Sequence, residues 1–260
     1  MSLITLTTDF GADSPYVAAM KASILAINPA AVIVDVTHSI PPQDVRQGAL
    51  VLAQFTPRFP AGTIHVAVVA PGVGSDRAIL YAEFRGQRYI APDNGLLSGL
   101  ARQSTPVRMH ALQYSAYWLP EVSATFHGRD VMAPAAAHLS LAVEPEELGP
   151  AQTEFVRLPW QEVHVVPGKI EGAIQSIDSF GNLVTDITAE MLAAAPRDES
   201  VRILCDDHET FGIWQTYADQ PPMTLVALIG SSGFLELSIV NDSAAMMLGV
   251  KCGTPIQVTW

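Results

Sequence analysis

Within the first 70 residues, three short apolar runs, LITLTT at 3–8, VIVDV at 32–36 and TIHVAVV at 63–69, alternate with two stretches of helical pattern. The runs are near-continuous and rich in β-branched residues, as expected of strands buried on both faces. Ser14-Pro15 supplies an N-cap and a first-turn proline for a helix with apolar residues at Val17, Met20, Ile24 and Ile27, and Asp44 caps a second helix reaching about Phe55. A chain that reads β-α-β-α-β has few ways to bury these faces. The expected solution is a mainly parallel sheet with helices on both sides, joined by right-handed crossovers. Ligands in such sheets sit beyond the carboxyl ends of the strands. Those ends carry Asp9-Phe10-Gly11, Thr37-His38-Ser39 and Ala70-Pro71-Gly72-Val73-Gly74.

Further along, AILYAEF (78–84) and QRYIA (87–91) flank Arg85-Gly86 and predict a hairpin. A short helix is expected after Pro92-Asp93-Asn94-Gly95, and another after Phe126-His127-Gly128-Arg129-Asp130. Pro145, Pro150, Pro159 and Pro167, among scattered acids, mark a connecting segment. This divides the chain into an N-terminal α/β domain over 1–165 and a second domain over 166–260. Short β-like runs at 168–178, 200–206, 224–229, 234–240 and 255–260, with one helix around 243–249, predict a small β-barrel or sandwich.

Composition narrows the function. Twenty-six acidic against fourteen basic residues give a formal charge of −12, the wrong sign for neutralising nucleic-acid phosphates or an anionic membrane. The opening MSLITLTTDFGADS lacks the regions of a signal peptide, and no apolar run reaches about 18 residues, so a soluble cytoplasmic protein is expected. Cys205 and Cys252 form neither a closely spaced metal pair nor a disulfide framework and read as core thiols. The seven histidines show no H-E-x-x-H spacing, so no metal site is expected. No phosphate loop is present, Gly72-Val73-Gly74-Ser75-Asp76-Arg77 lacks the last glycine of a dinucleotide fingerprint, and Gly230-Ser231-Ser232-Gly233 is not a nucleophile elbow.

Several segments stand in order over about 230 residues: Thr8-Asp9-Phe10-Gly11, Pro15-Tyr16-Val17 with Met20-Lys21, Asp35-Val36-Thr37-His38, Pro71-Gly72-Val73-Gly74 with Arg77, and Pro92-Asp93-Asn94-Gly95. Phe126-His127-Gly128-Arg129-Asp130, Ser179-Phe180-Gly181-Asn182, and Gly230-Ser231-Ser232-Gly233 with Glu236 and Asn241 follow. Together these segments resemble those of the S-adenosylmethionine (SAM) hydroxide adenosyltransferases, or SAM hydrolases, relatives of the SAM-dependent fluorinase and chlorinase. The resemblance implies an N-terminal α/β domain, a C-terminal β-barrel, and a homotrimer with SAM sites between subunits. It also implies SAM as substrate, adenosine and L-methionine as products, and no cofactor.

Carried onto this sequence, the resemblance gives Asp9 the ribose hydroxyls, and Phe180 and Asn182 the adenine face and edge. Turns are the competing explanation for each: Asp9 could cap one, and Phe180 could be a core residue beside a Gly-Asn turn. Ser231 and Ser232 would receive the methionine end, completed by Glu236, Asn241 and the backbone near Ala244. Tyr217 is a second aromatic contact or an ordinary core or surface tyrosine. Of the Asp-Arg-His set that positions water, Arg77 and His127 are present, but Ala70 stands where the aspartate belongs. Ser14 likewise stands where many relatives carry an acid, next to Asp13. Without the carboxylate the chain is either a variant that traps ligand or a member using another group or nucleophile. Halide transfer and non-catalytic SAM or adenosine sensing are the alternatives to hydrolysis.

Overall fold

A computed structural model describes residues 2–260, which form two compact units, one ending at Leu158 and the other running Pro159–Trp260. In the first, β1 (Leu3–Thr8), α1 (Pro15–Ile27), β2 (Val32–Thr37), α2 (Val45–Phe55), β3 (Ile64–Val68), β4 (Ile79–Phe84), β5 (Gln87–Pro92), α3 (Ser98–Ala101), β6 (Arg108–Ala111) and α4 (Ala133–Ser140) build a six-stranded sheet of order β2-β1-β3-β5-β4-β6. Both cap assignments hold. Ser14 accepts from Tyr16 N–H, and Asp44 Oδ1 accepts from Gln47 N–H at 2.8 Å.

Alternation along the strands creates two cores. Ile64, Val66 and Val68 of β3 pack with Met20 and Ile24 of α1 and with Ala133 and Ala136 of α4, while Ala67 and Val69 pack with Leu52 of α2 and Leu96 and Leu100 around α3. Helices therefore cover both faces. The sheet is more mixed than the sequence pattern predicts. β2, β1, β3 and β5 are parallel, but β4 runs antiparallel to both β5 and β6. Arg85 (φ +49°) and Gly86 (φ +74°) make a two-residue turn, too short for a crossover, and so reverse the chain. The expectation that 32–36 is a buried strand also fails: β2 has a single neighbour, β1, and no buried residue.

The second unit is antiparallel. β7 (His164–Val166), β8 (Lys169–Ile177), β9 (Leu183–Thr188), β10 (Arg202–Cys205), β11 (His208–Phe211), β12 (Leu225–Ile229), β13 (Phe234–Ile239) and β14 (Pro255–Thr259) run β11-β10-β14-β8-β9-β13-β12, with β7 beside β8. Thr210 Oγ1 of β11 donates to the Leu225 carbonyl of β12 at 2.7 Å, so the sheet curls into a nearly closed barrel. Ile170, Leu183, Ile203, Leu237 and Val258 are among its core residues, and α5 (Ala244–Leu248) contributes Ala244. Cys205 is buried here, whereas Cys252 is exposed, correcting its reading as a core thiol. No helix among the described residues is long and apolar enough to cross a membrane.

Candidate functional site

In the first unit, Asp9, Phe10, Tyr16, Ala70, Arg77 and His127 line one cleft of ≈620 Å³ at the carboxyl ends of β1 and β3. Asp9 follows directly on β1, and its Oδ2 accepts from Gln43 N–H at 2.8 Å. Ala70 opens the turn after β3, where Val73 N–H donates to the Ala70 carbonyl at 3.1 Å. Arg77 folds back on this turn, its Nη1 donating to the Pro71 carbonyl at 2.7 Å. Its Nε is buried without a hydrogen-bond partner. Burial lowers the guanidinium pKa, opposed by the negative charge of Asp93.

His127 precedes a single π-helical turn, Gly128–Met132, that leads into α4. Asp130, fully buried in that turn, fixes the loop before it by accepting from Ser123 N–H at 2.8 Å and from Arg129 Nη2 at 3.0 Å. Burial alone would raise the Asp130 pKa, but these donors and the Arg129 charge hold it below the ordinary carboxylate value. The loops carrying Arg77 and His127 meet at Gly74 (φ +83°), where a Cβ would lie 2.4 Å from the Ala124 carbonyl oxygen. Phe10, Tyr16 and Phe126 close the apolar side, their rings edge-on at 5.8, 5.8 and 5.2 Å. Ser14 is occupied as the α1 cap, and neither it nor Asp13 lines the cleft.

In the second unit, a pocket of ≈800 Å³ gathers Phe180, Asn182, Tyr217, Ser231, Glu236 and Asn241. Asp178 organises one edge: its Oδ1 accepts from Phe180 N–H and Asn182 N–H, each at 2.9 Å, and its Oδ2 accepts from Asn182 Nδ2 at 2.9 Å. This turn, with Gly181 at φ +85°, leaves Phe180 78% exposed. Phe180 is therefore not a core residue. At the opposite edge Glu236 is buried, and Gly230 approaches so closely that a Cβ there would lie 2.5 Å from Glu236 Oε2. Ser232 lies in the same turn as Ser231 but does not line the pocket, and Ala244 turns its side chain into the barrel core. Tyr16 and Gln43 also line the first cleft and Asp178 the second pocket, although the sequence reading gave none of them a role. For Asp178 the signal was present, because an aspartate two residues before Phe180 is the pattern of a side-chain-capped turn.

Among the described residues, no three His, Cys, Asp or Glu side chains form a group suited to hold a metal ion.

The model of the SAM hydroxide adenosyltransferase N-terminal domain matches residues 4–149, and that of the C-terminal domain matches 172–257. The chain is 37% identical to the (R)-S-adenosyl-L-methionine hydrolase of Salinispora arenicola, over 98% of this chain and 97% of that one. It is 29% identical to a fluorinase of Actinoplanes sp., over 99% and 97%. An uncharacterized conserved protein from Thermotoga maritima superposes with a TM-score of 0.94 at 31% identity, covering 99% of this chain and all of that one. On both family models and on full-length identity, the chain belongs to the SAM hydroxide adenosyltransferase family.

Proposed function

We propose that this protein hydrolyses SAM by attack of water on the ribose 5′ carbon. The new C–O bond forms as the C–S bond breaks; methionine sulfur keeps the bonding pair, and the water's proton passes to solvent. The products are adenosine and L-methionine. The observation that carries this reading is the gathering of Asp9, Ala70, Arg77 and His127 around one cleft. Asp9 holds the ribose hydroxyls, Phe180 stacks on adenine and Asn182 pairs with its edge. Ser231, Ser232, Glu236, Asn241 and the backbone beside Ala244 receive the methionine carboxylate and amine. Tyr217 acts through Glu236.

Moving the pKa of water from about 15.7 to about 7 requires roughly 12 kcal/mol at about 1.36 kcal/mol per unit, more than one guanidinium supplies. Arg77 and His127 therefore hold the water, which loses its proton as the bond forms, and in-line placement and desolvation provide much of the rate. With Ala70 in place of a carboxylate, turnover is slow while binding persists. The same substitution makes the nucleophile pocket less anionic and favours a second reading, chloride transfer, which would release 5′-chloro-5′-deoxyadenosine.

The protein acts as a homotrimer in which the Asp9 cleft of one subunit and the Ser231 pocket of another share one SAM. It works in the cytoplasm and needs no cofactor. Chromatography of products from SAM, with EDTA present and with or without chloride, tests the chemistry, and light scattering near three times 27.8 kDa tests the assembly. Adenosine and methionine are the expected products. Loss of SAM binding on chelation, restored by a divalent ion, would overturn the cofactor-free site, and tight SAM binding without turnover even in Ala70→Asp would show a sensor.

A further inference from the structure

Beneath the Asp9 turn runs a polar network that the proposed chemistry does not use. Thr8, the last residue of β1, is fully buried, and its Oγ1 accepts from Phe10 N–H at 3.2 Å. The same hydroxyl lies 2.9 Å from Nδ1 of His38, also buried. The His38 carbonyl accepts from Gly11 N–H at 2.8 Å. Beyond the ring, Asp35 Oδ1 lies 3.1 Å from Nε2, and Asp35 Oδ2 accepts from Lys21 Nζ at 2.6 Å.

The Thr8 hydroxyl joins the two sides of this network: Oγ1 accepts from Phe10 N–H and shares a hydrogen bond with His38 Nδ1, whose direction follows the ring tautomer. The segment after β2 thus grips the turn at three points: Phe10 through His38 and Thr8, Gly11 through the His38 carbonyl, and Asp9 itself through Gln43 N–H. Thr8 and His38 are 30 residues apart, so the grip ties two strand ends together.

We propose that Thr8 and His38 are positioning residues for Asp9, holding its carboxylate where ribose hydroxyls can meet it. The inference rests on the reading that Asp9 binds ribose, and it adds that the ribose preference is set one layer below the cleft. Neither residue lines the cleft. A purely structural role would lower stability and weaken all ligands alike, whereas a positioning role changes the preference for a hydroxylated ribose.

The test is calorimetry of adenosine and 2′-deoxyadenosine on the full-length protein. Wild type is expected to prefer adenosine. Thr8→Val, close to isosteric, should weaken adenosine about tenfold while 2′-deoxyadenosine changes less than about twofold, the size expected for one charge-assisted hydrogen bond. Thr8→Ser should restore the preference. His38→Asn, whose amide can bond in place of Nδ1, should keep more of it than His38→Leu. An unchanged preference in both Thr8→Val and His38→Leu would overturn the positioning role with the ribose reading intact. A wild type that binds adenosine without preferring it over the deoxynucleoside, or binds neither, would overturn the ribose role of Asp9, and this inference with it.

Discussion

Tyr217 donates its phenolic hydrogen to Glu236 Oε1 at 2.5 Å, and Ser238 Oγ donates to the same oxygen at 3.0 Å, so Oε2 is the oxygen beside Gly230. Burial, followed by the bond to Glu236 and its charge, pushes the phenol pKa well above its ordinary 10.0. The neutral phenol is therefore favoured in the folded state. Its contribution is complete below pH 10 and is lost as the pH rises further. Tyr217→Phe leaves Oε1 with Ser238 as its side-chain donor, and the carboxylate is no longer held in one orientation. We expect SAM affinity to fall about tenfold while adenosine affinity stays unchanged if Glu236 serves the methionine end, as proposed above. Calorimetry with both ligands checks this. Equal loss for both would place the pair at the nucleoside end instead.

Gly74 is the contact between the Arg77 loop and the His127 loop. Its φ of +83° and the 2.4 Å approach of a Cβ to the Ala124 carbonyl leave no room for a side chain. Gly74→Ala must push the two loops apart or strain both, at about 1–3 kcal/mol. Thermal unfolding should show that modest loss. Single-turnover hydrolysis should fall by a larger factor than SAM affinity does, since the change separates Arg77 from His127 and leaves Asp9 and the second pocket alone. Wild-type turnover in Gly74→Ala would mean that the two loops act independently.

His65 of β3 gives a pH dependence to folding. Its ring is fully buried, with Nδ1 2.7 Å from Thr5 Oγ1, and stacks on Tyr89 at 4.9 Å. Burial lowers its pKa from 6.5 to about 4, opposed by the hydrogen bond to Gln87. Between those values the unfolded chain binds a proton that the folded chain refuses. Stability is thus complete above pH 6.5 and is lost as the pH falls towards 4, by roughly 3 kcal/mol. Urea unfolding of wild type and His65→Gln at pH 7.5 and 4.5 should show a smaller acid loss in the variant. Parallel pH profiles would show that other groups carry the effect.

What the sequence made legible was local. Ser14 and Asp44 were readable as caps, and Arg85-Gly86 as a tight turn, because each is decided within a few residues. β6 (RMHA), β9 (LVTDIT) and β11 (HETF) were missed because they are short or carry charges, and become strands only through their partners. Asp186 in β9 is tolerated because Ala173 N–H donates to it at 2.8 Å across the sheet. In the site, Asp9 and Ala70 were legible as strand ends. The Thr8–His38 bond was not, because a threonine ending a strand signals only β propensity. Ala244 illustrates the opposite limit: its neighbour Ser243 caps α5, accepting from Met246 N–H, and that geometry sends the Ala244 side chain inward.

Ala70 carries the sharpest prediction. It opens the turn after β3 and lines the same cleft as Arg77 and His127, while Arg77 Nε stays buried and unpartnered. An aspartate at this position would give the guanidinium a carboxylate partner and the water an acceptor for its proton. A positioned acid–base group contributes about 10²–10⁴-fold, or roughly 3–5 kcal/mol at the transition state. Ground-state SAM, which in the proposed function is held by other residues, gains little from it. Ala70→Asp should therefore raise the single-turnover rate of adenosine release by about that factor with SAM affinity nearly unchanged. Adding Arg77→Ala or His127→Ala to that variant should remove most of the gain, because in the proposed mechanism the three groups act on one water and such effects are not additive. If the carboxylate leaves the rate unchanged, or if Arg77 and His127 prove dispensable once it is present, the water is activated elsewhere and the Asp-Arg-His arrangement does not operate in this chain.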